Sequence, residues 1–118
     1  MSENISRTEI SELGEFGLID HLLEKVSLSN ASSILGAGDD AAVLWSRGQS
    51  TLVSTDMLLE GIHFDLTYTP LKHLGYKAVV VNLSDIYAMN GVPEQITVSL
   101  AISNRFSVEA VEELYEGI

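Results

Sequence analysis

The chain contains no cysteine. Disulfides, zinc–thiolate sites and cysteine nucleophiles are therefore excluded. It is also poor in positive charge: 6 Lys and Arg stand against 17 Asp and Glu, a formal net charge of −11. That balance argues against nucleic acid, whose phosphates want a basic footprint, and against anionic membrane surfaces. A phosphorylated substrate stays open, provided that metal ions neutralise it. No apolar run approaches the roughly 20 residues that span a bilayer. The opening Met1-Ser2-Glu3-Asn4 lacks the basic-then-apolar order of a signal peptide. The expected setting is the cytoplasm. There are only 2 prolines, and repeats, low-complexity segments and internal linkers are absent.

What is present is an apolar fraction of 46% in 118 residues. That length is one domain, 1–118, able to bury roughly 65% of its unfolded surface in a core. Residues 1–7 are polar and expected to fray. A short turn at 8–13 breaks near Gly14, and Phe16, Ile19, Leu22, Leu23 and Val26 then mark a helix face. A polar loop is expected at 27–33. Apolar runs at 41–45 and 51–55 flank a five-residue turn, 46–50, and predict a hairpin. The stretch 57–69 reads as a loop. Pro70, with Thr69 as cap, opens a helix to about Asn90, where Asn90-Gly91 stops it. Alternation of Ile96, Val98, Leu100 and Ile102 predicts a half-buried strand over 95–102. Ser107 caps a last helix with Val108, Val111 and Leu114 inward. The expected fold is α/β of the α+β type: a mixed, mainly antiparallel sheet with helices on one face. Three strands make a thin sheet whose edges need cover.

The chemistry concentrates between Gly36 and His63, where short apolar runs sit beside carboxylates, hydroxyls and glycines. Asp39 and Asp40 follow Gly38; adjacent residues of an extended segment point to opposite sides, so one of them faces a given ion. Ser54, Thr55 and Asp56 end the second strand of the hairpin. Such hard oxygen donors suit magnesium, although an Asp-Asp turn or a Thr-Asp strand exit is also ordinary structure. Asp85 stands out because it falls inside an apolar helix. A buried carboxylate needs a partner, and a metal, a helix N-terminus or Lys77 would serve. His63 lies in a loop, where a lone histidine is commonly structural or solvated. Gly36-x-Gly38 lacks the Gly-Lys-Ser/Thr of a P-loop and the third glycine of a dinucleotide fingerprint, so both are rejected.

Four segments together carry a resemblance. They are Gly14-Glu15-Phe16-Gly17-Leu18-Ile19, Gly36-Ala37-Gly38-Asp39-Asp40-Ala41-Ala42-Val43, Ser54-Thr55-Asp56-Met57-Leu58-Leu59-Glu60-Gly61-Ile62-His63-Phe64, and Tyr76-Lys77-Ala78-Val79-Val80-Val81-Asn82-Leu83-Ser84-Asp85-Ile86-Tyr87-Ala88-Met89. In this order they resemble the thiamine-monophosphate kinase family, within the superfamily of aminoimidazole ribonucleotide synthetase. The resemblance implies ATP-dependent phosphorylation of thiamine phosphate to thiamine diphosphate. It implies magnesium ligands at Asp40, Asp56 and Asp85 with Ser54 and Thr55 assisting, a substrate contact at His63, and Tyr115 against the nucleotide. It also implies a homodimer whose sheets join. Family members are longer, with a later Gly-Gly-Asp segment that is missing here, so little or no kinase activity is expected of this chain alone. Other ATP-using members, such as aminoimidazole ribonucleotide synthetases, selenophosphate synthetases and hydrogenase-maturation dehydratases, are the enzymatic alternatives. A non-catalytic dimerisation module is the other.

Overall fold

A computed structural model describes residues 6–118. The expected fraying at 1–7 falls mostly outside them. The first helix, α1 (Ile10–Leu23), starts earlier than its apolar face suggested and is kinked at Gly14, whose φ of 69° is left-handed. Glycine tolerates that conformation without a Cβ clash. The anticipated short turn and the helix after it are thus one kinked element.

Strands β1 (Ser33–Leu35), β2 (Ala42–Ser46) and β3 (Gln49–Val53) form one antiparallel sheet in the order β1-β2-β3. Strand β1 lies partly in the segment expected to be loop; three residues are too few to show a period. The β2–β3 hairpin is tighter than expected. Its ladder runs from Ala42↔Val53 to Ser46↔Gln49, leaving only Arg47 and Gly48 in the turn. Both have positive φ, 51° and 78°, the requirement of a two-residue turn whose twist matches the strands.

Helix α2 (Leu71–Ala88) begins after Pro70, which stands at the cap in place of Thr69. It ends as the sequence indicates. Asn90 adopts φ 57°, its N–H donates to the Tyr87 carbonyl at 2.9 Å, and Gly91 N–H donates to the Ile86 carbonyl at 2.9 Å. This paired closure satisfies two of the helix's last carbonyls. Helix α3 (Val108–Gly117) is capped by the Ser107 hydroxyl, which accepts from Ala110 N–H at 3.1 Å. It packs on α2, with Leu114 and Leu74 buried.

The strand expected over 95–102 is a correction. The segment is not in a strand, and Ile96, Val98, Leu100 and Ile102 are 44–50% exposed. Alternation makes a segment fit to pair, but pairing needs an edge, and the three-stranded sheet takes it up on neither side. The expected core is also thin. Among the described residues only Ala41, Leu74 and Leu114 are buried hydrophobics, whereas Phe16 is 79% exposed and Val92 82%. The radius of gyration is 18.8 Å, against roughly 13.5 Å for a compact domain of this length. Among the described residues, apolar faces on α1, the sheet and 95–102 stand without a partner.

Candidate magnesium site

The end of β3 and the fourth turn of α2 bring oxygens together. Ser54 follows β3 directly. Its hydroxyl lies 3.1 Å from the Asp40 backbone carbonyl and 3.3 Å from Asp85 Oδ2. One hydroxyl proton serves these two acceptors, so the contact ties the 36–41 turn, the strand exit and α2 to one point. Asp85 is half-buried. Of the partners open to it from sequence, neither Lys77 nor a helix N-terminus is used; it meets Ser54 and Asp56.

Asp56 completes the pair. Its carboxyl is held above the ordinary value of 3.8, by partial desolvation first, then by the Asp85 charge and a hydrogen bond with Asp85, while His63 pulls the other way. The group remains largely open to solvent. Two carboxylates this close share a proton or a cation between them, since both ionised and unpaired they repel.

The remaining residues singled out from sequence are distributed as follows. Asp40 reaches the cluster through its backbone carbonyl, while its side chain is exposed in the turn and its own N–H bonds Asp39 Oδ1 at 2.8 Å. Thr55 is exposed between Ser54 and Asp56. His63 is near enough to act electrostatically on Asp56. Tyr115 lies apart, lining an open apolar groove of about 350 Å³ with Ile102, Phe106, Val108 and Val111, and none of the aspartates lines it. Among the described residues no three His, Cys, Asp or Glu side chains gather closely enough to hold a metal by themselves. What does gather is two carboxylates and a hydroxyl beside a backbone carbonyl. These are hard oxygens of the type magnesium takes, usually from one or two carboxylates with water and substrate phosphate filling the rest.

Two contributions were not legible in the sequence. One is the Asp40 carbonyl, since any residue has one. The other is Lys77, which donates to the His63 backbone carbonyl; the two lie 14 positions apart in sequence, with no periodic signal that would join them.

An α+β domain presenting hard oxygens from a strand exit and a facing helix is the class that fold and site define. Residues 38–118 match the family described as "AIR synthase related protein, N-terminal domain". The chain belongs to that family, and curated relatives that it is similar to are named thiamine-monophosphate kinases. It is 37% identical over 107 residues to the thiamine-monophosphate kinase of Bacillus subtilis, covering 90% of this chain and 33% of that protein. It is 38% identical over 115 residues to that of Synechococcus elongatus, covering 97% and 33%, and 39% identical over 109 residues to that of Aquifex aeolicus, covering 92% and 33%. The chain thus spans about a third of the length of the curated relatives it matches. No solved structure matches it. Among the described residues no helix is long and apolar enough to cross a membrane.

Proposed function

We propose that this chain supplies the magnesium-holding part of a thiamine-monophosphate kinase, which transfers a phosphoryl group from ATP to thiamine phosphate and yields thiamine diphosphate. One observation carries the reading. In a chain whose relatives bear that name, Ser54, Asp56 and Asp85 converge from a strand exit and a helix. Asp56 and Asp85 would hold magnesium, with Ser54, Thr55 and Asp40 beside it. When bound, the ion neutralises and orients phosphate oxygens, which are the main needs of phosphoryl transfer. The protein's own tasks are then to fix the carboxylates and to place the acceptor. His63 contacts thiamine phosphate and Tyr115 lies against the nucleotide. The attacking oxygen belongs to a phosphate already ionised near neutral pH, so a strong general base is not required. A cytoplasmic setting, where ATP and magnesium are supplied, belongs to the same proposal.

The test is turnover of thiamine phosphate with ATP and magnesium. A protein of the relatives' full length that carries this chain should form thiamine diphosphate, and the 118-residue chain alone should fall about 100-fold or more below it. A full-length protein that makes a different product from other phosphate acceptors, and none from thiamine phosphate, sinks the assignment.

A homodimer is the second part of the proposal, supported by the alternating segment 95–102 and the uncovered sheet edges. Unpaired edges and apolar faces of this kind invite pairing with another chain. Light scattering at micromolar concentration should give twice the chain mass; a clean monomer mass counts against it.

A further inference from the structure

In a chain of net charge −11, Lys77 is directed not to a carboxylate but to the backbone carbonyl of His63. That carbonyl belongs to a tight loop, closed by other backbone groups. Ile62 and His63 N–H donate to the Leu59 carbonyl at 3.2 and 2.9 Å, and Gly61 N–H donates to the Phe64 carbonyl at 2.7 Å. Gly61 turns the chain at φ 80°, a conformation that L side chains rarely adopt. The imidazole is part of the same closure. Leu59 N–H donates to His63 Nδ1 at 2.8 Å. A backbone N–H can only donate, so Nδ1 is the bare nitrogen and the neutral ring carries its proton on Nε2.

The loop is held to the rest of the fold through Lys77, which stands in the second turn of α2. The ammonium gives the His63 carbonyl a charge-assisted donor, stronger than a neutral one. A freely solvated imidazole exchanges its proton between both nitrogens and rotates. This one is fixed at Nδ1 by Leu59 and at its own carbonyl by Lys77.

We propose that Lys77 is a positioning residue that ties the 59–64 loop to α2, so that His63 is held in its Nε2–H form to donate to an anionic oxygen of the ligand. The ligand part rests on the function proposed above; the loop part stands without it.

The experiment is nuclear magnetic resonance on the full-length protein carrying this chain, labelled with 15N in histidine and leucine, without nucleotide. The pH is about 8.5, where an ordinary imidazole is neutral. His63→Gln assigns the His63 signals. In the wild type the two His63 nitrogens should sit far apart, as in a fixed tautomer, and the Leu59 amide should exchange slowly. In Lys77→Met both nitrogens should move toward the averaged positions of the exposed His21. Leu59 exchange should then accelerate by about 10-fold or more, while the leucine amides of the β2–β3 ladder keep their protection. Lys77→Arg should retain the wild-type signature. Unchanged nitrogens and exchange in Lys77→Met overturn the proposal. Loss in Lys77→Arg equal to that in Lys77→Met overturns it too, since a cation at 77 would not be what holds the loop. Should Lys77→Met disturb the whole domain, the arginine variant decides. Because nothing in the measurement needs ATP or thiamine phosphate, failure of the kinase reading leaves its result intact.

Discussion

Asp85→Asn should remove magnesium-dependent turnover from the full-length protein while making the metal-free protein more tolerant of neutral pH. The two effects have one cause. Asp85 and Asp56 are like charges placed together, and loss of a metal-holding carboxylate costs at least the roughly 10–100-fold seen for groups that merely support a metal ligand. A fall in turnover of about 100-fold or more is therefore expected. The stability effect follows from the direction in which Asp56 is shifted. Its folded-state pKa lies above the ordinary 3.8, by partial desolvation and by Asp85. The folded state therefore binds that proton more tightly than the unfolded state. The resulting stabilisation is fully present below 3.8 and is lost as pH rises through the raised folded value. Asparagine at 85 removes the repelling charge and can donate to the ionised Asp56, so Asp56 should fall back toward its ordinary value and the decline should flatten. The melting temperature followed from about pH 3 to pH 7 without metal reads this directly. In the wild type, added magnesium should restore stability at neutral pH and do little at pH 3, where Asp56 with its raised pKa holds its proton; in the variant it should do little throughout. An equal magnesium response in both proteins would show that Asp85 holds no cation. A gain in metal-free stability paired with lost turnover is the mark of a site whose strain serves function rather than folding.

The parts of this architecture that were legible in the sequence are those fixed within a few residues. Asn90-Gly91 stops α2 because asparagine accepts the left-handed conformation and frees two N–H groups for the last carbonyls. Ser107 caps α3 because its hydroxyl reaches an N–H three residues on. What needed three dimensions was partner choice. The alternation over 95–102 was visible, but a period of two says which side chains share a face, not whether an edge is available to receive them. The hairpin turn was read too long because Arg47 gives no sign of its positive φ; the strands' twist imposes it, and Gly48 completes the turn. In the site, the sequence showed that Asp85 needed a partner and left several open. The fold joins it to Ser54 and Asp56, and sends Lys77 to the His63 loop instead. The family resemblance supplied Asp40 and Tyr115 as site residues. The geometry brings Asp40 in by its carbonyl and leaves Tyr115 in a separate groove.

The largest loss of stability should come from Gly75→Ala, against the sign that helix propensity alone gives. Alanine in place of glycine within a helix is favourable by about 1 kcal/mol. At Gly75, however, α3 crosses against the backbone of α2. A Cβ there would fall well inside van der Waals distance of the Leu114 carbonyl oxygen, and reciprocally a Cβ at Gly117 would run into the Lys72 carbonyl oxygen. Backbone atoms do not swing aside as a side-chain tip does, so the helices must part. Two of the three buried hydrophobic residues, Leu74 and Leu114, belong to this crossing, and exposing a buried leucine costs about 1.5–3 kcal/mol. Overpacking costs of 1–3 kcal/mol are usual where neighbours can adjust. Here they cannot, so a net loss of about 3 kcal/mol is expected, or roughly 10 °C in melting temperature for a domain of this size. Gly17→Ala in α1 is the internal control. Its Cβ would meet only the Leu13 Cβ at 3.5 Å, an ordinary contact, so propensity should act alone and leave the protein as stable as before or up to about 1 kcal/mol more so. Thermal unfolding of the two variants beside the wild type checks both signs. If Gly75→Ala melts with Gly17→Ala rather than far below it, the α2–α3 crossing is looser than its backbone contacts indicate, and the packing that aligns Asp85 with the strand exit must come from elsewhere.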